Sequence, residues 1–117
     1  MALILNKDLL DESGNTMVQN YEDPQGNIHE NPYLIINEIT INKLNDHIKI
    51  HVLIFKDKQS RLNNKRSVFY DYHMISHDTE LYNKYFSINH MEEINIFKAS
   101  YKYINEEFYT NWKTDEN

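Results

Sequence analysis

The sequence predicts an α+β fold, mainly β: an antiparallel sheet or small β-sandwich, one C-terminal amphipathic helix and an extended N-terminal arm. Three observations predict it. Both glycines, Gly14 and Gly26, and both prolines, Pro24 and Pro32, fall in the first 32 of 117 residues. Apolar and polar residues then alternate, with β-branched enrichment, across much of residues 33–75. An apolar stripe at spacings of three and four runs from Met91 to Phe108. Gly and Pro are the strongest local breakers of regular structure. The chain therefore divides into an arm, residues 1–32, and one β-rich domain, residues 33–117.

In the arm, Ala2 to Leu5 reads as a short strand. Asp11 to Asn15 reads as a turn, with Gly14 or Asn15 able to take positive φ. The flanking pairs Leu9-Leu10 and Met17-Val18 can join as a small hairpin. Asp23-Pro24-Gln25-Gly26 is a second turn, since Pro24 suits a central position with φ near −65°. The arm has too few apolar residues to fold alone. It lies on the body, lies on a neighbouring subunit, or is mobile.

The body opens with a strand from Tyr33 to Ile41, one face carrying Tyr33, Ile35, Asn37, Ile39 and Ile41. Asn42 to Asp46 is a five-residue hairpin loop. A second strand, His47 to Phe55, has Ile48, Ile50, Val52 and Ile54 for the core. Lys56 to Arg66 reads as a polar, basic loop. Ser67 to Ile75 is a third strand, with Val68, Tyr70, Tyr72 and Met74 expected on its apolar face. Tyr82 to Ser87 is open between a strand and a helical turn. Residues 89–107 are the helix, with Met91, Ile94, Phe97, Tyr101, Ile104 and Phe108 as its buried stripe. Asn89 and Glu92 stand in the capping-box arrangement.

Several classes of function lack their residues. There is no Cys, hence no disulfide framework, thiol chemistry or Cys-type zinc site. No apolar run approaches the ~20 residues of a transmembrane span, and no secretory leader is expected at Met1 to Leu10. Of six His, His47 and His51 share a strand face but stand about 13 Å apart, too far for one metal. His73, His77 and Asp78 straddle a strand end, and His29 and His90 stand alone. Adjacent carboxylates such as Glu92-Glu93 do not face each other on a helix. Two glycines cannot build a phosphate loop, and no nucleophile elbow is present. No cofactor, metal or enzymatic activity is expected.

Charge is distributed unevenly. The chain holds 18 acidic and 12 basic side chains, and its net −6 argues against nucleic acid as the main partner. Acidic residues, Glu22 and Asp23 among them, dominate the first 46 positions. Lys56, Lys58, Arg61, Lys65 and Arg66 crowd one segment with only Asp57 opposing. That segment is a nucleic-acid contact (for which it is short and lacks interleaved aromatics), a solvated loop, or a surface that meets the acidic arm of the next subunit, a contact that can close into a ring. Nine Tyr exceed what a small core needs, and Tyr109 and Trp112 belong either to an aromatic-rich core or to an interface belt.

Tyr33-Leu-Ile-Ile-Asn-Glu-Ile39, His47-Ile-Lys-Ile-His-Val-Leu-Ile-Phe-Lys56, Ile96-Phe-Lys-Ala-Ser-Tyr-Lys-Tyr-Ile104 and Phe108-Tyr-Thr-Asn-Trp-Lys-Thr-Asp115 together resemble small virion proteins of tailed bacteriophages. The AT-rich codon usage implied by abundant Asn, Ile and Lys and by scarce Arg fits phages such as the crAss-like group. The resemblance covers Asn31 to Asp115 and, more loosely, the arm. It departs at Ser100, where the pattern has Ala before Tyr101. It implies a non-enzymatic structural subunit of a tail, neck ring or baseplate. Such a subunit resides in the virion, and in the host cytoplasm during assembly. Its partners are further copies of itself, in a ring or symmetric oligomer, and other virion proteins, with no membrane involved. The alternative is a small acidic protein-binding module or inhibitor acting on a host protein.

Overall fold

Two runs of β-branched residues form the centre of the fold. In the computed structural model, which describes residues 1–17, 19–42, 44, 47–87 and 95–116, β4 (Tyr33–Asn42) and β5 (His47–Phe55) pair antiparallel from Tyr33↔Phe55 to Asn42↔His47. β6 (Phe69–Ser76) adds to the far side of β5. β1 (Ala2–Leu5) adds to β4, and β7 (Trp112–Asp115) pairs with β1. The result is a five-stranded antiparallel sheet in the order β6-β5-β4-β1-β7. β2 (Tyr21–Glu22) and β3 (Ile28–His29) make a separate two-stranded ribbon. The α+β, mainly β class read from the sequence is the one observed. Of the arm, β1 is an interior strand whose Ala2 and Leu3 are fully buried.

One face of the sheet carries the core. Leu3, Leu34, Ile36, Ile48, Ile50, Val52, Ile54 and Ile75 pack against Tyr85 and Phe86 of α2 (Glu80–Phe86) and Ala99, Tyr101, Tyr103 and Ile104 of α3 (Ile96–Glu107). Side-chain oxygens cap both helices. Thr79 Oγ1 accepts from Tyr82 N at 3.2 Å, and Asn95 Oδ1 accepts from Lys98 N at 2.8 Å. The segment 82–87, left open by the sequence, is therefore the end of a helix.

The arm's two turns share one design. Asp11-Glu-Ser-Gly-Asn15 and Asp23-Pro-Gln-Gly-Asn27 repeat the pattern Asp-x-x-Gly-Asn. Each Asp Oδ1 accepts from two backbone N–H groups of its own turn, at 2.9–3.0 Å. Gly14 and Gly26 take φ of +84° and +87°, which L side chains adopt only with strain. Across the first turn, Leu10 bridges Thr16 and Met17 N donates to Leu9 O. Val18, the hairpin-loop residues Lys43, Asn45 and Asp46, and the expected helix start with Asn89, Met91, Glu92 and Ile94 lie outside the described residues.

Four expectations need correction. Period two is not continuous along β4: the register shifts between Ile36 and Glu38, so Asn37 is an extra residue. The bulge brings Ile39 and Ile41 onto the face of Leu34 and Ile36, opposite Ile50 and Ile48. The core face of β6 is the other one. Directly opposed residues share a face, and Ile48↔Ile75, Ile50↔His73, Val52↔Asp71 and Ile54↔Phe69 turn Tyr70, Tyr72 and Met74 outward. The buried residues of α3 are Ala99, Ser100, Tyr101, Tyr103 and Ile104: Tyr101 and Ile104 of the expected stripe are inside, whereas Phe97 and Phe108 are 47% and 49% exposed. Within 56–66, residues Lys58–Leu62 form the short helix α1, because Asp57 Oδ1 accepts from Ser60 N at 2.7 Å.

Candidate functional site

The sheet has a second face, and only part of it is covered. α1 lies over one end, placing the Lys58 ammonium 6.0 Å from the Tyr33 ring centre and the Arg61 guanidinium 5.9 Å from that of Phe55. Ala2, Tyr33 and Phe55 are buried there. Between α1 and strands β1 and β7 runs a groove of about 700 Å³, with Ile4, Pro32 and Tyr33 in its lining and Lys7, Lys58 and Lys113 around it. The groove cations have partners: Lys58 meets Asp115 at 3.5 Å, Lys113 meets Asp8 at 3.4 Å, and Lys7 donates to the carbonyls of Gln19 and Glu30.

Towards β6 no described residue covers the outer face in the same way. Tyr70, Tyr72 and Met74 are 59%, 48% and 54% exposed. Cross-strand packing orders them. The His51 ring stacks on Tyr72 at 4.6 Å, meets Tyr70 edge-on at 6.0 Å and sits 3.1 Å from the Asn37 amide through Nδ1. Lys49 Nζ lies 5.1 Å from the Tyr72 ring centre. Arg61 and Lys65 flank the same face beside Ile35 and Leu53. Tyr, Met and Arg around a half-apolar floor is the composition that marks the centre of protein interfaces.

The residues singled out from the sequence are dispersed by the fold. Lys58 joins the groove; Arg61 and Lys65 edge the outer face. Lys56 stands near His29 and Glu30, and Arg66 near Pro24 and Gln25. Glu22 is exposed, but Asp23 is buried and serves its own turn. Asp23 Oδ2 also meets His29 Nε2 at 2.8 Å, and that contact, reinforced by the turn's N–H groups, holds its carboxyl below the usual carboxylate range. Asp23 is thus used within its own chain. Tyr109 and Trp112 take part in a chain of rings on the core side: Tyr21 to Trp112 at 6.0 Å, Trp112 to Tyr109 at 5.7 Å and Tyr109 to His73 at 5.4 Å. The Tyr109 hydroxyl lies 2.8 Å from His73 Nε2. Burial raises the Tyr21 phenol to about 12 and pushes Tyr109 up as well.

Sequence reasoning passed over His51, Tyr70, Tyr72 and Met74 as surface residues. β6 itself carries no signal for this: the acid and imidazole at Asp71 and His73 alternate with Tyr70, Tyr72 and Met74 and so point to the opposite facing. Among the described residues, no group of three or more His, Asp or Glu is placed to hold a metal ion, and no helix is long and apolar enough to cross a membrane. Comparison with protein-family models, with curated proteins and with solved structures gives no match to this chain.

Proposed function

We propose that this chain is a structural subunit of a tailed-phage virion, of the tail, neck-ring or baseplate type, and that it works by assembly, not by turnover. The observation that carries the assembly reading is the outer sheet face, where Tyr70, Tyr72 and Met74 stand exposed along β6. A row of aromatic and sulfur-bearing side chains held rigidly by cross-strand packing loses little conformational entropy when a partner covers it. The virion setting rests on the sequence resemblance over Asn31 to Asp115.

Native mass spectrometry and analytical ultracentrifugation of the purified chain across a concentration series test the assembly reading. Discrete symmetric oligomers, or incorporation into particles when other virion proteins are supplied, are the expected result. A monodisperse monomer at every concentration that also ignores virion proteins would overturn it. If that monomer instead captured one host protein stoichiometrically, the reading as an acidic binding module would replace it.

A further inference from the structure

We propose that β6 pairs antiparallel with β6 of a second copy, about a two-fold axis through Tyr72, so that two five-stranded sheets become one. This rests on the assembly reading and specifies its first contact.

Among the described residues β6 is an outermost strand, with β5 on one side only. It is eight residues long and pairs with β5 from His47↔Ser76 to Ile54↔Phe69 without a register shift. Sheet edges are normally protected from such pairing by shortness, Lys, Pro, a bulge or an inward-pointing charge. The opposite edge, β7, has two of these protections: it is four residues long and contains Lys113. β6, with the sequence Phe-Tyr-Asp-Tyr-His-Met-Ile-Ser, has no Lys, Arg, Pro or Gly. Its one charged residue, Asp71, opposite Val52, is the single protection this edge carries: Asp71 Oδ1 accepts from Tyr72 N at 2.8 Å, a local bond that pairing about Tyr72 exchanges for one between the two copies.

The register follows from symmetry and chemistry. A two-fold axis normal to the sheet keeps the outer faces of both copies on one side, so outward residues must oppose outward residues. An axis through Asp71 would place that carboxylate opposite itself, which is unfavourable. An axis through His73 would set Asp71 against the apolar Ile75. The axis through Tyr72 sets Tyr72 against Tyr72, Tyr70 against Met74, Phe69 against Ile75, and the Asp71 carboxylate against His73, whose neutral imidazole can donate a hydrogen bond to it. Among these three registers it alone matches every side chain from 69 to 75 with a compatible one. That self-complementarity identifies the occupant as a second copy, not an unrelated extended peptide.

The chain has no Cys, so an introduced one reports alone. Opposed residues in an antiparallel pair have Cα atoms about 4.5–5.5 Å apart, within reach of a disulfide. Tyr72→Cys is expected to form a covalent dimer under mild oxidation. Tyr70→Cys alone is not, because its copies would be separated by about 13 Å along the strands. A mixture of Tyr70→Cys and Met74→Cys chains is expected to form the mixed dimer. Tyr72→Lys, which faces two ammonium groups across the axis, should weaken self-association roughly tenfold while circular dichroism stays native. If Tyr72→Cys links no faster than Tyr70→Cys, or Tyr72→Lys assembles like the natural chain, this interface is wrong. Should the natural chain still oligomerise in that case, the assembly reading survives it. A natural chain that never self-associates removes both.

Discussion

Ser100 and Tyr101 are neighbours on α3 with opposite hydrogen-bond fates. The Tyr101 hydroxyl accepts from Ile36 N at 2.8 Å, satisfying a buried N–H beside the bulge. Tyr101→Phe leaves that donor orphaned and should cost about 1–3 kcal/mol, read as a lower urea midpoint at unchanged m. The Ser100 hydroxyl is fully buried and has no hydrogen-bond partner among the described residues. Ser100→Ala removes an unpaired polar group and adds helix propensity, so a gain of about 1 kcal/mol is expected in the same measurement. A loss of stability would show that the hydroxyl does have a partner. His73 supplies a pH dependence. Burial disfavours its charged form and lowers its pKa below 6.5, with Asp71 opposing weakly and with Tyr109 and Phe108 packed on its ring. As pH falls through 6.5, the unfolded chain binds this proton before the folded one does. Stability from this group is therefore full above pH 6.5 and declines until the folded imidazole itself protonates. His73→Gln should remove that contribution, visible as a shallower fall in urea midpoint between neutral and mildly acid pH.

The same interplay of polar and apolar residues decides how elements sit. On α3, the face that meets the sheet is set by Ala99, Ser100, Tyr101, Tyr103 and Ile104, so Ile104→Ala should cost about 2–5 kcal/mol and Phe97→Ala less than about 0.5. Equal losses would mean that the helix is seated differently. The sequence stripe put Phe97 inside because Phe counts as core and Ser as surface, whereas here the small Ser100 and Ala99 allow close approach. β4 and β5 were legible because Ile and Val dominate them and β5 alternates cleanly. The bulge at Asn37 was not, since one inserted residue leaves an apolar run that still looks continuous. β6 was legible as a strand but not in its facing. Tyr and Met read as core, yet the position of His73 was fixed by Tyr109, 36 residues away. α1 was hidden because Lys58-Gln-Ser-Arg-Leu62, four polar residues and one Leu, carries no stripe; its signal is the single cap at Asp57. The candidate surface was therefore legible in composition, as excess Tyr, and not in location.

At the scale of the molecule, the sheet joins a local unit to a remote one. β4, β5 and β6 follow one another along the chain, while β1 and β7 come from opposite ends and pair from Ala2↔Asp115 to Leu5↔Trp112. β1 is the only described strand holding β7 to the sheet, and it brings the fully buried Leu3 into the core. This bears on how the arm's role in assembly can be tested. Removing residues 1–32 asks whether the arm straps one subunit to the next, but it also strips β1 from the sheet interior and leaves the apolar edge of β4 open. Deleting only residues 1–5 should already abolish a cooperative thermal transition and raise binding of a hydrophobic dye, with no partner subunit involved. Leu3→Ala, which keeps the strand and opens a cavity, should retain the transition and lose about 2–5 kcal/mol. A 1–5 deletion that melts cooperatively at the natural temperature would mean that β1 contributes little to the fold and that the arm is free for other contacts. With the expected result, loss of assembly on truncating the arm reports unfolding, and the assembly surface has to be located by substitutions on the outer face of β6, whose exposed side chains leave the core intact.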